Sequence, residues 1–180
     1  MSKLCEVKNS EVSLQKPKVL HILRHAKSSW DNPALADIQR PLNTRGQKAC
    51  KKLAEHLLKQ GGLNTSNAVY CSPAERAQQT ISGIIDALNL QTTWRTEPLL
   101  YTFNWQEIIQ FCHGIDDEAG SVTIVGHNPA LHEAVEFLAG VDIEKFPTCA
   151  YAKLSCNIAR WQEMRSRCAT LDAFLYPKRL

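Results

Sequence analysis

A chain of 180 residues is long enough for one domain with a full core and hardly long enough for two. Its 44% hydrophobic and 22% charged residues are the balance of a soluble globular protein, and a net charge of +3 with no Lys/Arg stripe excludes an obvious nucleic-acid partner. Met1 to Pro17 is polar and mixed in charge, without the apolar segment of a signal peptide, and no apolar run approaches membrane-spanning length. The expectation is therefore a polar leader over residues 1–17, a single domain over 18–180, and a cytoplasmic monomer with no membrane contact. Seven scattered cysteines, an odd number with no C-x-x-C pair, read as reduced thiols rather than a disulfide frame or a zinc site.

In chain order, Val19 to Leu23 is a short apolar run that suits a buried strand, and it stops at Arg24-His25. Asp31 to Pro41 is turn-rich. Asn43 or Thr44 then caps a helix, with Gln47 in capping-box position to Thr44. Ala49, Cys50, Leu53, Ala54, Leu57 and Leu58 mark its apolar face, and Gly61-Gly62 ends it. Ala68 to Cys71 predicts a second strand. Ser72-Pro73-Ala74-Glu75 predicts a helix start with Ser72 as N-cap, which places Arg76 in the first turn.

Thr92 to Thr96 predicts a third strand, and Trp105, Ile108, Ile109 and Cys112 a helix ending near Gly114. Asp116 to Glu118 reads as a solvated acidic loop. Val122 to Val125 is a further strand ending in Gly126-His127-Asn128-Pro129, with Asn128 as N-cap and Pro129 as the first helical residue. Beyond Gly140, Tyr151 to Leu154 and Leu171 to Leu175 alternate like strands without a helical crossover between them. The fold class is thus α/β: a three-layer α/β/α sandwich on a mostly parallel, mixed central sheet.

Open α/β sheets bind ligands beyond the carboxyl ends of their strands. Three such ends here deliver Arg24-His25, Ser72 to Arg76, and Gly126-His127. Two guanidiniums, two imidazoles and helix amino ends call for a multiply charged anion, and phosphate matches arginine's planar fork. A metal at His25 and His127 is disfavoured, because the arginines repel a cation and no carboxylate has ligand spacing. No G-x-S-x-G elbow marks a serine hydrolase. His21, His56, His113 and His132 read as structural.

Leu23-Arg-His-Ala26, Cys71-Ser-Pro-Ala-Glu-Arg76 and Val125-Gly-His-Asn-Pro129, in that order and spacing, resemble the histidine phosphatase (phosphoglycerate-mutase-like) superfamily. The compact length, Arg24 to Trp30, Arg40-Pro-Leu42, Phe146 to Thr148 and Tyr176 to Lys178 resemble its SixA-type phosphohistidine phosphatases. The resemblance runs over about residues 19–178. It implies that His25 is the nucleophile of a transient phosphohistidine, that Arg24 and Arg76 hold the nonbridging oxygens, and that His127 donates to the same phosphoryl group. Main-chain N–H groups at Asn128 would add to the anion cradle, Lys27 is a further substrate-binding candidate, and no cofactor or metal is implied. Cationic neighbours keep a nucleophilic imidazole unprotonated, which agrees.

Two positions depart from the pattern. Ala26 stands where the family usually has Gly, which suggests an altered turn. Asp31 stands where Asn is frequent, and it is expected to fix Arg40 or Arg45. Glu97 is the candidate general acid, with a surface glutamate before Pro98 as its other reading. A missing acid favours phosphohistidine substrates, because an imidazole with a conjugate acid near pKa ~6.5 leaves far more readily than an alkoxide. Short connections predict an open crevice that admits phosphate carried on a protein. The expected activity is a metal-independent phosphatase acting on phosphohistidine in proteins. The alternatives are a phosphomonoesterase for small metabolites and a noncatalytic phospholigand-binding module.

Overall fold

The computed structural model describes residues 17–59, 63 and 68–180. The polar leader, apart from Pro17, and the Gly61-Gly62 helix stop lie outside the described residues. Six strands, β1 (Lys18–Arg24), β2 (Ala68–Cys71), β3 (Arg95–Thr96), β4 (Ser121–Gly126), β5 (Tyr151–Cys156) and β6 (Ala169–Leu175), form one sheet in the order β3-β2-β4-β1-β5-β6. The first four of that order run parallel, and β5 and β6 join antiparallel, so the sheet is mixed as expected.

Four helices cover the sheet: α1 (Thr44–Lys59), α2 (Glu75–Leu88), α3 (Trp105–His113) and α4 (Ala130–Ala139). Side chains alternate along each strand, so Leu20 and Ile22 join the core under α3 and α4, whereas Leu23 joins the one under α1 and α2. These two cores make the three layers. Burying one Leu or Ile contributes roughly 1.5–3 kcal/mol, and fully enclosed side chains such as Leu20, Ile22, Leu53 and Ile108 fill both layers.

Local departures from the sequence reading have identifiable causes. Asn43, not Thr44, caps α1: its Oδ1 accepts the Gly46 N–H at 2.9 Å. Leu58 falls outside the Cys50, Leu53, Ala54, Leu57 stripe and is exposed. The third strand shrinks to two residues at the sheet edge, and Trp94 just before it is tied to α2 through Nε1–H to Gln78 Oε1 at 2.7 Å. Asp117 is not merely solvated, since its Oδ1 accepts the Trp161 N–H at 2.8 Å. α4 ends at Gly140, whose φ of 65° is the left-handed conformation that a glycine cap supplies. Among the described residues, no helix is long and apolar enough to cross a membrane.

Candidate active site

The order β2-β4-β1 puts three neighbouring carboxyl ends side by side. The ladder continues just past each strand. His25 N–H donates to Gly126 O at 3.1 Å, and Ser72 N–H donates to Val125 O at 2.9 Å. Arg24, His25, Ser72, Arg76 and His127 are therefore brought together by strand register, not by long flexible loops. The His25 and His127 rings lie 5.0 Å apart, centroid to centroid. One phosphate can touch both.

His25 is buried, and its Nδ1 lies 2.7 Å from Ala26 O. A carbonyl only accepts, so the Nδ1 carries the proton and Nε2 keeps its lone pair. Burial, reinforced by Arg76 and Arg24, lowers its pKa to about 4 against the opposing Ala26 carbonyl and Asp37. The ring is neutral at physiological pH. The loop behind it is fixed on both sides. Ala26 N–H donates to Thr80 Oγ1 at 2.9 Å, and Cys149 N–H, from a residue held at φ 61°, donates to His25 O at 3.0 Å. Ala26 itself is not in the left-handed region, so its methyl group replaces a glycine hydrogen without backbone strain.

His127 is neutral as well. Burial, then His25 and Arg76, lower its pKa to about 3. Arg76 Nη2 lies 3.4 Å from His127 Nδ1, and arginine only donates, so Nε2–H is the side that donates to Ser72 Oγ at 2.8 Å. Ser72 Oγ also accepts the Ala74 N–H at 3.3 Å. Ser72 is therefore not the N-cap that its spacing predicts: α2 starts at Glu75 after Ala74, and the Ser72 hydroxyl is shared with His127. Tyr101 packs edge-on against the His127 ring at 5.3 Å, with Phe103 at 5.9 Å.

The guanidiniums sit differently. Arg24 donates Nη1–H to Phe146 O at 2.7 Å, while its buried Nε has no acceptor among the described residues. Burial lowers its pKa. Asn128 Nδ2 donates to the same Phe146 carbonyl at 2.9 Å, and its buried Oδ1 has no donor among the described residues. Asn128 is thus not the N-cap of α4, which starts at Ala130 after Pro129; its side chain is engaged beside Arg24 instead. Buried polar atoms left unpaired are costly, and a bound oxyanion would satisfy Arg24 Nε.

Arg76, buried in the first turn of α2, meets Asp37, which the sequence reading missed. Nη1 donates to Asp37 O at 2.6 Å and Nη2 to Asp37 Oδ2 at 2.8 Å. Tyr101 Oη donates to the same Oδ2 at 2.8 Å, and Arg40 Nη1 donates to Oδ1 at 3.1 Å. Burial opposes ionisation, but the Tyr101 hydroxyl and the two guanidiniums hold the Asp37 carboxyl below its ordinary range. Asp31, expected to fix Arg40 or Arg45, instead accepts from Ser29 Oγ at 2.7 Å. The signal for Asp37 was its i, i+3 spacing to Arg40 beside Pro41-Leu42. Tyr101 carried no such signal.

Two further candidates lie outside this cluster. Glu97 accepts the Leu99 N–H at 3.1 Å as the cap of a short 3-10 turn, and it lines an outer depression with Glu107 and Gln110. Lys27 is exposed and lines a small depression with Arg45, Thr148 and Lys178. Among the described residues, no group of three or more His, Cys, Asp and Glu side chains is arranged to hold a metal ion.

Comparison with known proteins agrees with this geometry. The family model of the histidine phosphatase superfamily (branch 1) matches residues 20–111. An uncharacterized protein of Mycobacterium tuberculosis is 30% identical over 166 residues, covering 87% of this chain and 100% of that one. The solved structure of the protein histidine phosphatase SixA complexed with tungstate is 25% identical, with a TM-score of 0.74 over 89% of this chain and 98% of that one. A mycobacterial glucosyl-3-phosphoglycerate phosphatase shares the fold at 13% identity, with a TM-score of 0.62 over 87% of this chain and 99% of that one. With its strand order, its two facing histidines and these matches, the chain belongs to the histidine phosphatase superfamily, branch 1, and is of the SixA type.

Proposed function

We propose that this protein is a phosphatase that works through a phosphohistidine on His25, with phosphohistidine in proteins as its substrate. The observation that carries the reading is the state of His25: its Nδ1–H is spent on Ala26 O, which leaves the Nε2 lone pair free on a neutral ring whose centroid is 5.0 Å from that of His127. In the first step Nε2 forms a bond to phosphorus as the bond from phosphorus to the substrate nitrogen breaks. The substrate ring, protonated on its other nitrogen, keeps that electron pair and departs as neutral imidazole, leaving His25 as the phosphoimidazolium. In the second step water attacks the same phosphorus, phosphate leaves and His25 returns to its neutral form. Arg24 and Arg76 offset charge on the equatorial oxygens, with no metal required.

His127 joins as a donor once phosphate arrives. Its Nδ1 is an acceptor toward Arg76, so the anion must bring a proton to that nitrogen. Asn128 N–H and side chain complete the rim beside Arg24. A related SixA in complex with tungstate, a tetrahedral oxyanion like phosphate, supports an oxyanion ligand. Protein-borne phosphohistidine is preferred to a small ester because Glu97 is occupied as a cap and Asp37 is held ionised, so neither is placed to protonate an alkoxide.

The test is transfer of radiolabel from a histidine-phosphorylated protein to the enzyme, with mapping of the labelled residue. An acid-labile label on His25, absent in His25→Asn, is the expected result. Label on another residue, or turnover surviving in His25→Asn, overturns the mechanism. Faster turnover of small phosphomonoesters than of phosphohistidine protein assigns the site to metabolites instead. Binding of phosphate without any turnover assigns it to a noncatalytic module.

A further inference from the structure

Lys27, Arg45 and Lys178 come from three separate parts of the chain and line one depression of about 60 Å³, together with Pro147, Thr148 and Tyr176. No carboxylate lines it, and among the described residues none of the three cations is in an ion pair. Their convergence is enforced by the backbone. Lys27 O accepts the Asn43 N–H at 3.0 Å, just ahead of α1, and Ser28 and Leu42 form a β-bridge. Gly46 sits so close to Lys27 that a Cβ there would fall 2.3 Å from Lys27 O. Arg45, in the first turn of α1, is thereby held next to Lys27. The tail is held by Lys52 Nζ–H to Pro177 O at 3.0 Å.

Three cations gathered without a counter-charge repel one another, and the amino end of α1 adds to the positive field. An anion relieves this. The wall that separates the depression from the cluster is shared: Phe146 O holds Arg24 and Asn128, Pro147 and Thr148 line the depression, and Cys149 N–H holds His25 O. Lys27 is two residues from His25, roughly 7 Å of extended chain. That is the reach of a group one or two residues from a phosphohistidine. The depression has room for one carboxylate.

We infer that Lys27, Arg45 and Lys178 form a second anion subsite, which takes a carboxylate flanking the phosphohistidine of the protein substrate. The inference rests on the phosphatase reading and names the substrate class more narrowly: phosphohistidine in an acidic surface. Exposed apolar side chains on the loops around the cluster, Trp30 and Phe103, suit a macromolecular face rather than an enclosed metabolite.

The experiment compares kcat/KM for two histidine-phosphorylated peptides, one with Asp and Glu flanks and one with Ser and Gln flanks. Phosphoramidate, which has no second anion, serves as the reference. The acidic peptide is expected to be favoured roughly five- to ten-fold, the scale of two or three exposed ion pairs, and the preference should shrink with added salt. Arg45→Glu and Lys178→Glu should each cut that ratio, and the double variant should reverse it. Equal turnover of both peptides, or an undiminished ratio in the double variant, overturns the subsite while the phosphatase reading stands. A bisphosphorylated small molecule that outcompetes the acidic peptide, with the advantage lost in the same variants, overturns the protein-flank assignment. No turnover of phosphoramidate or of either peptide by the wild-type protein overturns the phosphatase reading itself.

Discussion

Arg76 and Asp37 face each other across the mouth of the site, with Nη2 2.8 Å from Oδ2 and Nη1 bonded to the Asp37 main-chain carbonyl. The carboxylate thus engages the same guanidinium fork that the proposed mechanism gives to phosphate. An incoming dianion must share the fork with a like charge or displace it. Asp37→Asn is therefore expected to tighten tungstate binding roughly two- to ten-fold, the scale of a screened like-charge contact. It is also expected to lower kcat, because Arg76 loses its anchor. Calorimetric titration and steady-state kinetics read the two effects separately; weaker tungstate binding would show that Asp37 acts only by holding Arg76.

Arg76→Ala removes the fork altogether. Loss of one such donor costs about 10²–10³ in kcat. The turn around it keeps Ser72 Oγ and Thr80 Oγ1 in place, so the melting curve should remain cooperative. A variant with wild-type kcat would show that Arg76 serves Asp37 and not the substrate.

The histidines of the site should not titrate near their usual 6.5. Burial is the leading cause in both, taking His25 to about 4 and His127 to about 3. Ring NMR signals of both should stay in the neutral form from pH 8 down to about pH 5. Tungstate should change this for His127, whose Nδ1 needs a proton to meet an anion. Proton uptake on binding, read from the dependence of calorimetric heat on buffer, checks the point. A His25 midpoint near 6.5 would remove the argument for its neutral state.

Folding stability should follow the same groups. His21, held between Tyr151 Oη at 2.6 Å and Ser121 Oγ at 3.1 Å, is lowered to about 4 by burial and by Lys153. Between pH 6.5 and 4 the unfolded chain binds protons that the folded histidines refuse. Their contribution to stability is therefore fully present above pH 6.5 and is lost as pH falls through that window. Each independently titrating histidine removes about 1.4 kcal/mol for every pH unit crossed. Urea midpoints at pH 7 and pH 5 test this; a midpoint that holds or rises at pH 5 would contradict it.

Gly46→Ala should destabilise the fold and disturb the loop after His25. A Cβ at that position would meet Lys27 O at 2.3 Å, an approach that backbone must yield to. Overpacking of this kind costs about 1–3 kcal/mol. A denaturation midpoint equal to wild type would mean that the Lys27 loop moves freely.

The elements that the sequence displayed most clearly are those whose burial is continuous. β1 and β4 are central strands, so their apolar runs need no alternation, and each breaks abruptly where Arg24-His25 and Gly126-His127 emerge. That break is why Arg24, His25 and His127 could be read at once, and the Pro73-Glu75 helix start added Arg76. Ser72 and Asn128 had cap chemistry in the right places, yet their side chains went to His127 and Phe146, a tertiary choice that local spacing does not encode. Asp37 and Tyr101 lie in irregular connections without hydrophobic period, so only the folded chain shows them meeting at Arg76. β3 was overlong in the reading because an edge strand has few partners to hold its ends.

Trp30 stacks on the Arg40 guanidinium, whose carbon lies 3.1 Å from the ring centroid, while the residue as a whole stays exposed. Arg40 in turn grips Asp37, and Asp37 grips Arg76. An occupant that pulls Arg76 away from Asp37 is therefore expected to disturb the Arg40 stack on Trp30. Trp30 emission followed in a stopped-flow cell should then report occupancy without a label, and a tungstate response that persists in Trp30→Phe would come from Trp94, Trp105 or Trp161 instead.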